Sequence, residues 1–373
     1  MHKKLTAWLL AVVLLIMPLI AGCQQSNSGQ QASAAAQVTE SELRVHFIDV
    51  GQADSILVQL PDGQNMLVDA GNNDDGQTIV DYIKKQGVKR LDYVVATHPH
   101  EDHIGGMDTV IQSFPVGKVY APKVTNNTKT FEDFLLAVKA RGLKITPAKG
   151  PMAVLNNQNG LAISFVAPIG DSYDDLNDWS VVTKIQYGKT SFLLTGDAEF
   201  QSESEMLLQS PTQLKADVLK VGHHGSRYST TSAFLKAVSP MYAVISVGSD
   251  NDYGHPHQET LKALDGAKVK VYRTDLNGTV IAASNGQTIM FSTLKNTVQP
   301  RAPDAPKVTA ATNAGKVSPA VPPVQGQYIG NENSKKFHRP TCSTLPAPQN
   351  RVYFKTRDEA VRAGYAACKV CKP

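Results

Sequence analysis

Six consecutive residues, His98-Pro99-His100-Glu101-Asp102-His103, carry four potential metal ligands directly behind the apolar run Leu91-Asp92-Tyr93-Val94-Val95-Ala96-Thr97. A run of that kind suits a strand buried on both faces, which puts the ligands on a tight loop where a core strand ends. Imidazole nitrogens and a carboxylate oxygen are the donors a borderline cation such as Zn²⁺ takes. The spacing lets His98 and His100 serve one ion, and Asp102 and His103 a second. A polar surface loop has no physical reason to gather neutral ligands behind a buried strand. The cluster therefore points to a layered fold organised around a metal site. Composition agrees, because 42% hydrophobic residues in a chain of 373 suffice for a sizeable core and exclude a disordered chain or a small disulfide-stapled scaffold.

The residues around the cluster alternate between strand and helix. Short β-rich runs at 43–50, 55–60 and 65–70 are separated by Gly51-Gln52 and by Pro61-Asp62-Gly63-Gln64, as in a strand meander. A helix is predicted over 77–86, strands at 118–121 and 162–167, and a hairpin from 181 to 194. A second helix follows over 199–209, then strands at 217–221 and 243–247 and a last hairpin around Ser284-Asn285-Gly286. Strands interspersed with helices in this way make a layered α/β sandwich.

Outside residues 43–295 the composition changes. A basic start, His2-Lys3-Lys4, precedes an apolar run from Leu5 to Ala21, and Leu19-Ile20-Ala21-Gly22-Cys23 places small residues before a cysteine. That order resembles a bacterial lipoprotein signal over residues 1–22, with Cys23 lipidated after cleavage and residues 23–42 as a flexible tether. A plain secretory signal or an uncleaved anchor helix is the alternative; each places the remainder outside the cytoplasm, and the lipoprotein reading places it at the extracellular face of the cell membrane. Residues 296–326 are rich in Pro and Ala, with prolines at 300, 303, 306, 319, 322 and 323, and read as a semi-rigid linker. The charge divides unevenly: residues 43–295 hold 23 Lys and Arg against 27 Asp and Glu, net −4, whereas residues 327–373 hold 9 against 3, net +6.

With the His-x-His-x-Asp-His loop at the end of a strand, the sequence resembles the metallo-β-lactamase superfamily, which implies a four-layer αββα sandwich. Leu67-Val68-Asp69-Ala70-Gly71 matches the family motif whose aspartate braces the metal loop, here Asp69. Leu193-Leu194-Thr195-Gly196-Asp197 matches the motif whose aspartate bridges two metals. Val221-Gly222-His223-His224-Gly225-Ser226 matches the last ligand motif, in which one histidine binds metal and the other faces substrate; His224 is the favoured ligand. The family's third-motif histidine is missing. Asn177-Asp178-Trp179-Ser180 lies there, so the first ion has three protein ligands or adds a weak contact from Asn177 or Ser180.

A narrower resemblance, to the extracellular domain of the ComEC-type competence proteins and their free-standing lipoprotein relatives, rests on three segments. These are Phe47-Ile48-Asp49-Val50-Gly51-Gln52-Ala53-Asp54-Ser55, His223-His224-Gly225-Ser226 and Tyr253-Gly254-His255-Pro256-His257. Ala53 departs from the usual Gly, and His100 stands where the channel proteins often have Asp. The resemblance implies a binuclear hydrolase with two divalent ions, Zn or Mn, about 3.5–4 Å apart, able to activate water for in-line attack on a phosphodiester. DNA is then the expected substrate. Small phosphoesters, lactones or β-lactams are alternative substrates, and a non-enzymatic metal- or DNA-binding lipoprotein is a third reading. In the implied site Asp102, Asp197 and His255 act in catalysis. His255 and His257, on a Gly/Pro-rich loop, can bond a phosphate oxygen or protonate the leaving group; His257 is equally read as a helix start after Pro256. Ser226 and Arg227 are open to a phosphate contact or to a turn cap and a solvated side chain.

The tail carries a second metal signature. Phe337-His338-x-x-x-Cys342 and Cys368-x-x-Cys371 supply one imidazole and three thiolates, the set of a closed structural zinc site. Tyr328-Ile329-Gly330, Ser334-Lys335-Lys336-Phe337-His338 and Gly364-Tyr365 resemble the Ada-type metal-binding module. A single disulfide with one leftover thiol is the alternative. The excess positive charge of the tail suits contact with DNA phosphates, or with anionic cell wall or lipid headgroups. No organic cofactor is expected.

Overall fold

The computed structural model describes residues 42–295 and, in the tail, 328–331, 334–339, 342, 344–346, 351–354, 357–369 and 371. The expected signal peptide, the lipidation site Cys23, the tether up to residue 41 and the linker over 296–326 lie outside the described residues. The chain divides into two compact units, Met1–Pro300 and Arg301–Pro373.

In the first unit an antiparallel meander, β1 (Leu43–Phe47), β2 (Ile56–Gln59) and β3 (Asn65–Val68), leads into α1 (Gly76–Lys85) and the strand β4 (Leu91–Val95), parallel to β3. The short α2 (Glu101–Ile104) and α3 (Met107–Ser113) are followed by β5 (Val116–Ala121), α4 (Lys129–Ala140) and β6 (Ile145–Pro147). The second half runs β7 (Met152–Gln158), β8 (Leu161–Ala167), β9 (Val182–Tyr187), β10 (Thr190–Leu194), α5 (Phe200–Gln209), β11 (Val218–Lys220), α6 (Ser232–Val238) and β12 (Tyr242–Ile245). It closes with α7 (Gln258–Gly266), β13 (Lys270–Arg273), α8 (Thr274–Asn277), β14 (Val280–Ser284) and β15 (Ile289–Thr293).

Two sheets result, ordered β15-β14-β1-β2-β3-β4-β5-β6 and β13-β12-β11-β10-β9-β8-β7. The period of two along each strand sorts side chains between layers. Ile56 and Val58 enter the core between the sheets with Phe47, Phe165 and Phe192, while Leu57 faces the helix layer of Ile79, Ile83 and Phe134. On the other sheet Phe192 and Leu194 point inward, and Leu193 points out towards Met206 and Phe234. Helices thus cover both outer faces of two stacked sheets, which is the αββα sandwich. Two threonines cap the helices they precede: Thr128 accepts the Phe131 N–H ahead of α4, and Thr231 accepts the Phe234 N–H ahead of α6. The first strand ends at Phe47, short of the expected residue 50, although the Ile48 N–H still bonds the Ser55 carbonyl at 2.9 Å in the same antiparallel register.

The second unit, by itself, is a four-stranded sheet, β18 (Arg351–Phe354), β16 (Tyr328–Asn331), β17 (Lys336–His338) and β19 (Ala366–Ala367) in that order, with α9 (Arg357–Arg362). Its core is small: Phe337, Phe354, Ala360 and Tyr365. At Gly330 a Cβ would come within 2.6 Å of the Phe354 ring and 2.7 Å of the Tyr365 ring, so only glycine permits this packing.

Candidate metal centre

Every group in the cluster stands just past the carboxyl end of a strand, where α/β sheets bind ligands. Asp69 follows β3, His98 to His103 follow β4, Asp197 follows β10, and His223 and His224 follow β11. The expected ligands therefore come together from the ends of three strands, and their brace Asp69 from a fourth.

Asp69 organises the β4 loop. Its buried carboxylate accepts the Thr97 N–H at 2.8 Å, the Thr97 hydroxyl at 2.7 Å and the His103 Nδ1–H at 2.8 Å. Because Thr97 spends its hydroxyl hydrogen on Asp69, its Oγ1 can only accept from His98 Nδ1, 3.1 Å away. His98 and His103 are thereby held in one tautomer, with Nδ1–H tied back and Nε2 bare. His103 Nε2 is 3.2 Å from Asp197 Oδ2 and 3.8 Å from Asp102 Oδ2. His98 Nε2 meets His100 Nδ1 at 2.9 Å, two ring nitrogens aimed at one another.

The β11 loop behaves the same way. His224 Nδ1 donates to the Ser246 carbonyl at 2.9 Å, so its Nε2 is bare, 3.2 Å from Asp102 Oδ2 and 3.7 Å from Asp197 Oδ2. His223 Nδ1 donates to Glu199 Oε1 at 2.8 Å, and its Nε2 lies 3.7 Å from Asp197 Oδ2. Both residues have positive φ, 47° and 51°, a strained conformation for residues with a Cβ that is found where function demands it.

The donor set fits a divalent ion. The ligand atoms of Asp102, His103, Asp197 and His224 all lie within 4.8 Å of one another. At their centre His103 Nε2 and Asp197 Oδ1 are buried with no hydrogen-bond partner among the described residues, a cost the fold bears only where something else satisfies them. Electrostatics agree. Burial works against the Asp197 and Asp102 carboxylates, yet His103 and His224 hold both well below the usual carboxylate range. Burial likewise opposes charge on His103 and His223, and neighbouring carboxylates, Asp197 foremost, overcome it, lifting His223 to about 9. Without a metal the carboxylates thus favour the protonated forms of His103 and His223, and metal binding displaces those protons.

The segment in place of the missing third motif supports the site rather than filling it. Ser180 Oγ accepts the Asp197 N–H at 3.0 Å and stands 3.4 Å from His98 Nδ1; Asn177 Nδ2 reaches Glu199 at 3.3 Å and His223 at 3.4 Å. Asp178 accepts the Glu199 and Ser202 N–H groups at 3.1 and 3.0 Å. His255 flanks the cluster, its ring 5.4 Å from that of His223. Gln52 gives its amide oxygen to the Gly248 N–H and turns its NH₂ to His255 Nδ1 at 3.4 Å, which leaves the ring proton of His255 on Nε2. Burial, helped by His223, His224 and His257, pushes His255 down to about 3, so it is a neutral donor.

Other expected contacts also serve the local structure. Ser226 is 1% exposed and its Oγ accepts the Tyr228 N–H at 3.3 Å, as a turn cap does. His257 stands at the N-cap position of α7, with Nδ1 accepting the Arg227 N–H at 3.1 Å, and Arg227 pairs with Glu259 at 3.1 Å. The helix start is therefore the reading of His257 that the structure has.

Sequence reasoning missed what lies beneath the cluster. Lys220 and Asp54, at 0% and 1% exposure, form an ion pair at 2.9 Å, and Lys220 Nζ also donates to the Val221 carbonyl. Asp54 Oδ1 is 3.7 Å from His224 Nδ1. The signal was present: a lysine interrupts the apolar run Val218-Leu219-Lys220-Val221, where only a buried partner makes it tolerable.

In the tail the ligand atoms of His338, Cys342, Cys368 and Cys371 lie within 4.8 Å of one another, and the three cysteines are free thiols. The disulfide alternative is thereby set aside. His338 Nδ1 is 3.4 Å from Cys342 Sγ, and burial, first among several influences, pushes the Cys371 thiol up to about 11. A metal would hold these thiols as thiolates.

Comparison with known proteins agrees with this geometry. Residues 48–249 match the model of the metallo-beta-lactamase superfamily and residues 324–373 that of the metal-binding domain of Ada. The chain belongs to the metallo-β-lactamase superfamily, with an Ada-type zinc-binding domain at its C-terminal end. It is 33% identical over 258 residues to ComE operon protein 3 of Bacillus subtilis, an alignment covering 64% of this chain and 33% of that protein. It is 32% identical over 242 residues to competence protein ComA of Neisseria gonorrhoeae, covering 65% and 32%. The chain thus spans about a third of the length of these curated relatives. Among solved structures it is similar to the metallo-β-lactamase fold protein YhfI of Bacillus subtilis, at 14% identity, coverage of 62% and 95%, and a TM-score of 0.41.

Proposed function

We propose that this chain is a binuclear metal-dependent phosphodiesterase that cleaves DNA, anchored through Cys23 at the extracellular face of the cell membrane. The observation that carries the reading is the orphaned pair at the centre of the cluster, His103 Nε2 and Asp197 Oδ1, surrounded by Asp102 and His224. Asp102, His103, Asp197 and His224 would hold one ion, and His98, His100 and Asp197 the other. Bound divalent ions supply Lewis acidity and a water of lowered pKa, with zinc or manganese accepted according to supply.

The side chains do the remaining work. Asp69, Thr97 and Ser246 keep the histidines in the tautomer that turns Nε2 inward. His255, neutral and with its proton on Nε2, donates to a phosphate oxygen. Tyr253 stacks on His255 with ring centroids 5.6 Å apart and is 68% exposed, so its free face can receive a nucleobase. The competence relatives and the net +6 of the tail favour a polyanionic substrate over a small ester.

The test is turnover by the purified mature chain, loaded with Zn²⁺ or Mn²⁺, on single- and double-stranded DNA, RNA, bis-p-nitrophenyl phosphate, lactones and a β-lactam. DNA cleavage that disappears in His98→Ala is the expected result. Turnover of the small diester alone would replace DNA with a small phosphoester, and metal binding with no turnover at all would make the chain a binding protein.

A further inference from the structure

We infer that His223 is a ligand of the ion held by His98 and His100, supplying from the β11 loop the imidazole that the family's third motif no longer provides; this rests on the binuclear reading above. Four histidines of the cluster share one arrangement. In each, Nδ1–H is tied to an oxygen, Thr97 Oγ1 for His98, Asp69 for His103, the Ser246 carbonyl for His224 and Glu199 for His223, at 2.8 to 3.1 Å. In each, the bare Nε2 then turns to the cluster. A brace of this kind on the far nitrogen is how proteins orient metal-binding histidines. A histidine meant for substrate has no need of it: His255 shows the opposite arrangement, with Nδ1 accepting from Gln52 and the proton on Nε2.

Position agrees with the bracing. His223 Nε2 and His224 Nε2 are each 3.7 Å from Asp197 Oδ2, so both β11 histidines reach the carboxylate that two ions would share. His224 leans to Asp102 at 3.2 Å, on the His103 side. His223 is approached at its Nδ1 edge, the edge that Glu199 braces, by Asn177 Nδ2 at 3.4 Å, in the segment that occupies the third-motif place. Glu199 and Asn177 are then positioning residues: Glu199 accepts from both His223 Nδ1 and Asn177 Nδ2, and the Asp178 carboxylate fixes the Glu199 N–H. The left-handed backbone at both histidines is what lets neighbours in sequence reach two different ions.

Metal counting on the full mature chain separates the possibilities, with Co²⁺ spectra distinguishing the nitrogen- and oxygen-bound cluster from the thiolate-bound tail. His223→Ala is expected to lose one cluster ion and to keep the other and the tail ion. Adding His98→Ala should remove no further ion, whereas adding His224→Ala should empty the cluster. Glu199→Gln, which retains the shape, should weaken that ion 10- to 100-fold, the range found for such braces, with an unchanged melting curve for the metal-free protein. An unchanged cluster count and affinity in both His223→Ala and Glu199→Gln overturns the inference. A wild-type chain that holds only the tail ion overturns the binuclear reading itself.

Discussion

Lys220 and Asp54 show how one buried pair can be indispensable without adding stability. Removing two charges from water costs several kcal/mol for each, and their attraction in the interior does little more than offset it. Removing one partner is another matter. Lys220→Met leaves Asp54 charged and alone, 3.7 Å from His224, and should destabilise the unit by about 3–5 kcal/mol. The double variant Asp54→Asn with Lys220→Met should recover most of that loss, and urea unfolding of the four corners of the cycle measures the coupling. His46 makes a second residue-scale case. It is fully buried between the Tyr82 hydroxyl at 2.9 Å and Gln59 Oε1 at 3.1 Å, and burial pushes it from 6.5 down to about 4. Its stabilising contribution is fully present above pH 6.5 and is lost as the pH falls through 4, because over that window only the unfolded chain takes up the proton. A shift of that size corresponds to about 3 kcal/mol. In chelator, wild type should lose more stability between pH 7.5 and 4.5 than His46→Gln does, and parallel losses would refute this assignment.

Elements were legible in the sequence to the extent that their pattern was local. The meander, β4, the hairpin of β9 and β10 and helices α1 and α5 lie within a few residues of where periodicity and turn residues put them. Helices α3, α4, α6 and α7 did not announce themselves, since each buries only two to four side chains against a sheet assembled from distant strands. The metal loops were legible because metal ligands are unusual residue types in tight spacing. Their braces were not: Glu199, Ser246 and Asp178 are ordinary residues made specific by contacts that span two chain segments. Asp178 illustrates the consequence for an element. Its buried carboxylate accepts two N–H groups at the start of α5, Glu199 and Ser202, in the manner of a cap supplied from another loop. Asp178→Ala should therefore cost about 1–2 kcal/mol, typical of a lost cap, and should also loosen Glu199. The discriminating readout is metal affinity: a cap that serves only the helix would lower the melting temperature and leave the cluster's affinity unchanged.

At the scale of the whole molecule, the two units depend on metal to very different degrees. The first has two sheets, a core with phenylalanines at 47, 165 and 192, and helices on both outer faces; truncating Phe192 to Ala would cost it about 3–5 kcal/mol, which is the scale of its packing. The second has four buried apolar side chains in its core and no disulfide among the described residues. A core of that size rarely holds a domain together, so binding of a closed tetrahedral ion amounts to folding free energy. The legibility of the tail in the sequence has the same origin, because four ligands carry the structural information that a larger core would otherwise spread over many residues. Chelation should consequently act in two stages. Calorimetry of the full chain is expected to show the tail transition vanish on treatment with a strong chelator, while the large unit still melts cooperatively at a lower temperature, having lost only the ions that N binds and U does not. Cys342→Ser should abolish the tail transition without chelator and leave the large unit's melting temperature in place. A single transition that moves as one in both experiments would show instead that the two units fold as one body, and that the tail draws its stability from the larger unit rather than from its metal.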